Sequence, residues 1–311
     1  MLFFETDATL ALWGEAVLAA TWAEFPQLAR NQLALTWIVY DDPVPVNTGG
    51  AIAPQSFWSL PIRGFHYRGD EAIYPASVVK LFYLVAALEW LQQGMIQPSA
   101  ELDRALRDMI VDSSNDATGY IVDLLSGTTS GPELGDGPFK TWQFQRNIVN
   151  RYYQSLMWPE LQPINVNQKT WGDGPYGRER AFYGPEFENR NKLTTNATAR
   201  LLHAIAGGVA VSPSASQRML NLLNRPFDPR SLAEDPENQV TGFLGQDLPQ
   251  GSQLWSKAGW MSRVRHDAAY LEIPGLPPHL LVAFTEGKEH ANNEAILPFI
   301  AQQVRQQLQP A

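Results

Sequence analysis

Two strand-like runs near the start of the chain and three near its end, with a long mainly helical stretch between them, most constrain what this sequence can fold into. Leu33 to Tyr40 is dense in β-branched and aromatic residues and stops at Asp41-Asp42-Pro43, which reads as a buried strand and a turn. Pro43 to Gly64 is punctuated by Pro and Gly and reads as a long hairpin connection, returning through a second strand near Trp58 to Tyr67. At the far end, Leu254 to Trp260, Ala268 to Ile273 and Leu280 to Thr285 repeat the strand pattern, with Pro274-Gly275 as a turn.

Between and around these runs the period is helical. Leu10, Trp13, Val17 and Ala20 recur at helix spacing after a Thr6 or Asp7 cap, and Ile296, Phe299, Ile300, Val304 and Leu308 mark a closing amphipathic helix. From Tyr74 the residues are almost uninterruptedly apolar to Leu91, with a stop at Gly94, so this helix is buried on nearly every face. Further helices are predicted from about Ser99 to Ile110, Ala117 to Leu125 and Asn196 to Ala206. The expected fold class is α+β, an α/β/α sandwich with an antiparallel sheet flanked by helices and an inserted all-helical subdomain. Residues 1–64 and 212–311 form the sheet-containing part and 65–211 the insert, together one structural unit.

Composition removes several function classes. A net charge of −9 and a pI near 5.1, with no basic run, exclude a nucleic-acid partner. There is no cysteine, hence no thiolate nucleophile, disulfide or cysteine-held metal. The five histidines, His66, His203, His266, His279 and His290, are scattered and form no ligand spacing. His266-Asp267 reads as a turn cap. No phosphate loop or dinucleotide fingerprint occurs, so neither a cofactor nor a metal is expected. No apolar run reaches the ~20 residues of a membrane span. Glu5, Asp7 and Glu15 do not fit a signal peptide.

The chemistry concentrates at Ser77 and Lys80. Ser77 opens the buried helix, where unpaired N–H groups and the positive dipole end stabilise negative charge on oxygen. Lys80 falls on the same face one turn on. An ammonium inside an apolar helix costs several kcal/mol unless paired or neutralised, so burial lowers its pKa and equips it to take a proton from Ser77. The alternative is a lysine that snorkels to the helix end and a serine that only caps it.

Two further motifs favour the chemical reading. Asp112-Ser113-Ser114-Asn115 sits in a turn between helical segments, and Ser256-Lys257-Ala258-Gly259-Trp260 lies on a strand. In this order and these contexts the three resemble the Ser-x-x-Lys, Ser-Asp-Asn and Lys-Thr-Gly motifs of class A β-lactamases and penicillin-binding proteins. The resemblance covers about two thirds of the chain, leaving out Pro43 to Gly64 and the segment 126–192, where an extra aromatic-rich helix and loop (Phe139 to Pro159) either roofs the cleft or packs on the helical layer.

The resemblance implies a β-lactamase/transpeptidase-like fold. It implies a serine hydrolase in which Ser77 is acylated, Lys80 is the general base or a proton relay and Ser113 passes the proton onward to the leaving nitrogen. Asn115 would bind the acyl amide, Lys257 the substrate carboxylate, and the N–H groups of Ser77 and Trp260, beside Gly259, the oxyanion. The implied substrate is a small-molecule or peptide acyl donor: a β-lactam, a D-alanyl peptide or a related amide or ester. The protein is expected to be a monomer. Its location is open, cytoplasmic on the sequence alone and periplasmic by resemblance.

Three departures qualify it. Ser114 replaces an Asp, and Ala258 replaces a Thr whose hydroxyl binds the substrate carboxylate, which points away from β-lactam antibiotics as the optimised substrate. The carboxylate that activates water in class A enzymes precedes a Thr-rich helix start, here Thr194-Thr195, leaving Glu179, Glu186, Glu188 or none of them for that role. A catalytically silent penicillin- or peptide-binding protein of the same fold is the alternative function.

Overall fold

The computed structural model describes residues 2–41 and 52–309 of the chain. The first helix, α1 (Ala8–Glu24), is capped by Asp7, whose carboxylate accepts from Leu10 N at 2.8 Å. Strand β1 (Leu33–Val39), a short helix α2 (Pro54–Trp58) and strand β2 (Arg63–Tyr67) follow. The second strand therefore begins at Arg63, because Pro54 at a helix start makes Pro54–Trp58 a helical turn rather than strand. The rest of the expected hairpin connection, residues 42–51, lies outside the described residues.

The middle of the chain is helical: α3 (Lys80–Gln92), α4 (Ala100–Ile110), α5 (Asn115–Ser126), α6 (Asp136–Arg146), α7 (Ile148–Ser155) and α8 (Gly177–Tyr183). The chain then runs through α9 (Thr195–Ala206), α10 (Pro213–Leu223) and α11 (Pro229–Glu234) into β3 (Gln253–Met261), β4 (Val264–Glu272) and β5 (His279–Glu286). It closes with α12 (Lys288–Ala291) and α13 (Ile296–Leu308). Two compact units result, one of residues 1–71 with 194–311 and one of residues 72–193.

In the first unit the five strands run in the order β2-β1-β5-β4-β3, every neighbouring pair antiparallel. Leu33, Leu35, Trp37, Leu281 and Ala283 turn one face into a core with Leu10, Val17 and Leu18 of α1 and Ile300, Val304 and Leu308 of α13. On the other face, Thr36 bonds Thr195 (2.7 Å) and Asn196 (2.7 Å) of α9, which packs on β1, β4 and β5 although its pattern groups it with the helical middle. Covered on both faces, β1 and β5 read as continuous apolar runs instead of alternating ones.

In the second unit α3 is the central helix, with ten of its residues buried, Lys80 among them. Amphipathic α4 lays Leu102, Leu106, Met109 and Ile110 inward and is capped by Ser99 at 3.1 Å from Leu102 N. Within the extra segment α7 packs on the helical layer, where Tyr153 is fully buried and donates to Phe82 O of α3 at 2.6 Å.

Candidate active site

Within the helical unit the sequence-predicted residues converge on Lys80. Ser77 lies in a 3₁₀ turn, Ala76–Val79, that feeds directly into α3, and Lys80 N donates back to Ser77 O and Val78 O. Lys80 itself has no solvent exposure, and Nζ donates to Ser113 O at 2.5 Å, Ser113 Oγ at 3.2 Å and Asn115 Oδ1 at 3.0 Å. Burial alone pushes its pKa down to about 7. Among the described residues no carboxylate is its partner.

Local geometry explains how the chain delivers these groups. Val111 to Ser114 forms the turn between α4 and α5, and Asn115 is the first residue of α5 instead of part of the turn. Ser114 is its cap, accepting from Ala117 N at 3.1 Å. Ala76 and Ser113 both have left-handed backbone, φ +44° and +54°, a conformation that non-glycine residues adopt at a cost of about 1–2 kcal/mol. Nothing in the sequence marks this strain at the two flanks of Lys80. Ser77, half-buried, is placed in the adjoining turn, but its Oγ makes no hydrogen bond to Lys80 or Ser113. Such bonds often tighten only around a substrate.

Within the sheet unit the second constellation occupies β3, an edge strand. Lys257 is fully buried; Nζ donates to Gln239 Oε1 and to Ala258 O, the latter at 2.8 Å. Gln239 also accepts from Ala258 N at 3.2 Å, and Arg225 donates to Ser256 O at 3.1 Å. Gly259 is buried, whereas the Trp260 ring is 55% exposed and is anchored by Nε1 to Ala291 O at 2.8 Å.

His266-Asp267 is not a turn cap: both residues are fully buried inside β4. Asp267 accepts from Leu244 N at 3.0 Å and Ala268 N at 2.8 Å. Burial raises its pKa to about 6, against the pull of those two N–H groups and of Lys257 and Arg225. Gln239 and Arg225 are invisible to motif reasoning because each reaches β3 from a distant segment, whereas Asp267 lies opposite Ala258 on the adjacent strand β4.

The three water-activating candidates part company. Glu179 lies in α8 and is fully buried, Oε1 accepting from Arg146 Nη2 at 2.5 Å and from Ser130 Oγ at 2.8 Å. It is not the surface loop carboxylate that its sequence setting suggests. Glu186 and Glu188 are exposed, and Glu188 accepts from Glu186 N at 3.0 Å. None of the three hydrogen-bonds to Ser77 or Lys80.

A family model described as "Beta-lactamase enzyme family" matches residues 99–308. The fold is similar to that of a β-lactamase from Sphaerobacter thermophilus, at 20% identity and a TM-score of 0.61 over 94% of this chain and 96% of that one. It is also similar to PBP-A, a mutant of which is seen as an acyl-enzyme complex with penicillin G (16% identity, TM-score 0.63, 97% of each chain). A class A β-lactamase from Bacteroides cellulosilyticus matches at 14% identity and a TM-score of 0.60, over 94% of this chain and 97% of its own. No curated protein matches the sequence. At these identities the structural likeness establishes the fold.

Proposed function

The chain belongs to the β-lactamase enzyme family, and on that premise we propose that it is a serine hydrolase that forms an acyl-enzyme on Ser77 with a β-lactam, a D-alanyl peptide or a related amide or ester. The observation that carries this reading is Lys80: a buried amine with a pKa near 7, without a carboxylate partner among the described residues, gathered with Ser113 and Asn115. Burial works against the ammonium although three oxygens surround it, and this supports an amine that can exchange a proton with Ser113 near neutral pH.

In the proposed cycle neutral Lys80 takes the Ser77 proton as Oγ attacks the carbonyl carbon. Ser113 gives its hydroxyl proton to the nitrogen as the carbonyl C–N bond breaks and receives in turn the proton held by Lys80 Nζ, leaving an ester on Ser77 and a neutral lysine. Asn115 binds the acyl amide. Lys257, Gly259 and Trp260 take the roles the resemblance gives them, the lysine as a cation for the substrate carboxylate and the Trp260 N–H as an oxyanion donor. Ala258 supplies no hydroxyl, which favours an acyl donor other than the common antibiotics.

Hydrolysis of the ester is the slow step in this reading. Glu179 is committed to Arg146 and Ser130, and Lys80 has no carboxylate beside it to share the activation of water. Intact-mass measurement with benzylpenicillin on the native protein and Ser77→Ala tests the scheme over minutes to hours. A lasting adduct on the native protein alone is the expected result. Rapid adduct turnover would identify an efficient β-lactamase instead, and no adduct with penicillin or an activated ester would favour the silent binding protein.

A further inference from the structure

The helical unit contains a cavity of about 350 Å³ that begins at Asn115 and runs along α5 past Asp116, Gly119 and Asp123, closed on its other side by Lys169 and Trp171. We propose that this cavity is the subsite for the side chain of the acyl donor and that it selects acyl groups carrying an ammonium next to a flat apolar group. The proposal rests on the reading of Ser77 as nucleophile and Asn115 as the amide-binding residue.

Three features specify the occupant. The floor is open: a Cβ on Gly119 would meet nothing nearer than Lys169 Cδ, at 3.6 Å. The far end is electrically closed, because Asp123 accepts from Lys169 Nζ at 2.7 Å and from Arg146 Nη2 at 3.2 Å, and Lys169 also donates to Ser130 Oγ at 2.8 Å. The mouth is not. Asp116, next to Asn115, is exposed and makes no side-chain hydrogen bond or ion pair among the described residues.

The walls are aromatic, with Tyr120 on α5 and Trp171 opposite. Rings of this kind accept a flat group, and their faces attract a cation. A volume near the lower end of small-molecule sites suits a single side chain rather than a second substrate. An ammonium on the carbon beside the acyl amide would lie at Asp116 when that amide is on Asn115, with the apolar group between Tyr120 and Trp171.

Three penicillins that differ at that carbon test the proposal: ampicillin (ammonium), benzylpenicillin (hydrogen) and carbenicillin (carboxylate). Second-order acylation constants of the native protein at low salt are expected to fall in that order, by about fivefold per step, the value of one exposed ion pair. The spread should shrink in high salt and collapse in Asp116→Asn. Gly119→Leu, which fills the floor, should lower the rate with ampicillin relative to 6-aminopenicillanic acid, which has no acyl side chain. Equal rates for the three penicillins, or an order that survives Asp116→Asn, overturn the subsite alone. Failure of every penicillin to acylate Ser77 removes the nucleophile reading and the subsite with it.

Discussion

Lys80 holds Ser113 by two oxygens at once, its Nζ lying 2.5 Å from the backbone carbonyl and 3.2 Å from Oγ, while Ser113 sits in left-handed backbone at φ +54°. The amine is thereby tied to a fixed point of the turn through the backbone carbonyl. In the proposed cycle this arrangement would orient both groups for proton transfer before substrate arrives.

The first expectation concerns pH. Because burial lowers the Lys80 pKa from about 10.5 to about 7, the acylation rate constant should rise with pH and level off above about 7. Stability follows the same proton with a defined sign. Between about pH 7 and 10.5 the unfolded chain holds the proton and the native chain does not, so this group makes the protein more stable as pH rises through that window. Lys80→Met should abolish acylation and raise the melting temperature at pH 7. An acylation rate without a pH break near 7, or a variant less stable than the native protein, contradicts the assignment.

Ala76 offers a test of strain without touching a reacting group. At φ +44° and nearly fully buried, it tolerates Gly, whose gain in backbone ease is offset by unfolded-state entropy. Ala76→Gly should shift stability by less than about 1 kcal/mol. Ala76→Val forces a β-branched side chain into the left-handed region and should cost about 2 kcal/mol or more. Denaturant titration of the two variants reads the difference directly, and equal midpoints would mean that the turn before Ser77 is not held in this conformation.

What can be read from the sequence divides along a physical line. The strands and the long helices announce themselves because burial on a regular lattice imposes a period, and β1, α3 and α13 are written in it. The three motifs are legible because each keeps its residues within a few positions, as Ser77 and Lys80 do, or Ser113 and Asn115. The short α2 escapes because one turn has no period, and Glu179 misleads because a polar neighbourhood in sequence, Arg178-Glu179-Arg180, does not reveal that Arg146 buries it. Gln239 and Arg225 are hidden for the same reason: their meaning lies in contacts across distant segments. The left-handed backbone at Ala76 and Ser113 has no sequence signal, since neither position is Gly or Asn.

Arg146 and Glu179 form a buried pair whose removal should be asymmetric. Glu179→Ala leaves a guanidinium with no exposure and only Asp123 for a counter-charge among the described residues, and should cost about 3–5 kcal/mol. Replacing both residues with Met removes the stranded charge and should cost less than either single change to an apolar residue. If Glu179 is structural, Glu179→Gln should leave the decay of the penicilloyl-enzyme within about twofold of the native rate, a change smaller than general-base removal causes. A double-mutant cycle in urea and a mass-resolved decay curve together separate the two roles. A decay slowed about a hundredfold by Glu179→Gln would restore that residue as the water activator.

Asp267 makes the last case, and its sign is opposite to that of most carboxylates. Burial raises its pKa from 3.8 to about 6, so between those values the native chain holds a proton that the unfolded chain has released. This group therefore makes the protein less stable as pH rises from about 4 to about 6, and contributes no further slope above that. The charge is retained at neutral pH next to Lys257 and Arg225, which oppose but do not cancel the desolvation. Asp267→Asn should remove the acid slope together with the negative charge that acts on Lys257 and Arg225, so that KM for a carboxylate-bearing substrate falls. Urea midpoints measured from pH 4 to pH 7 on both proteins decide the stability half. If the native slope in this range persists in the Asn variant, Asp267 is ionised throughout and the buried cations, rather than desolvation, govern its proton.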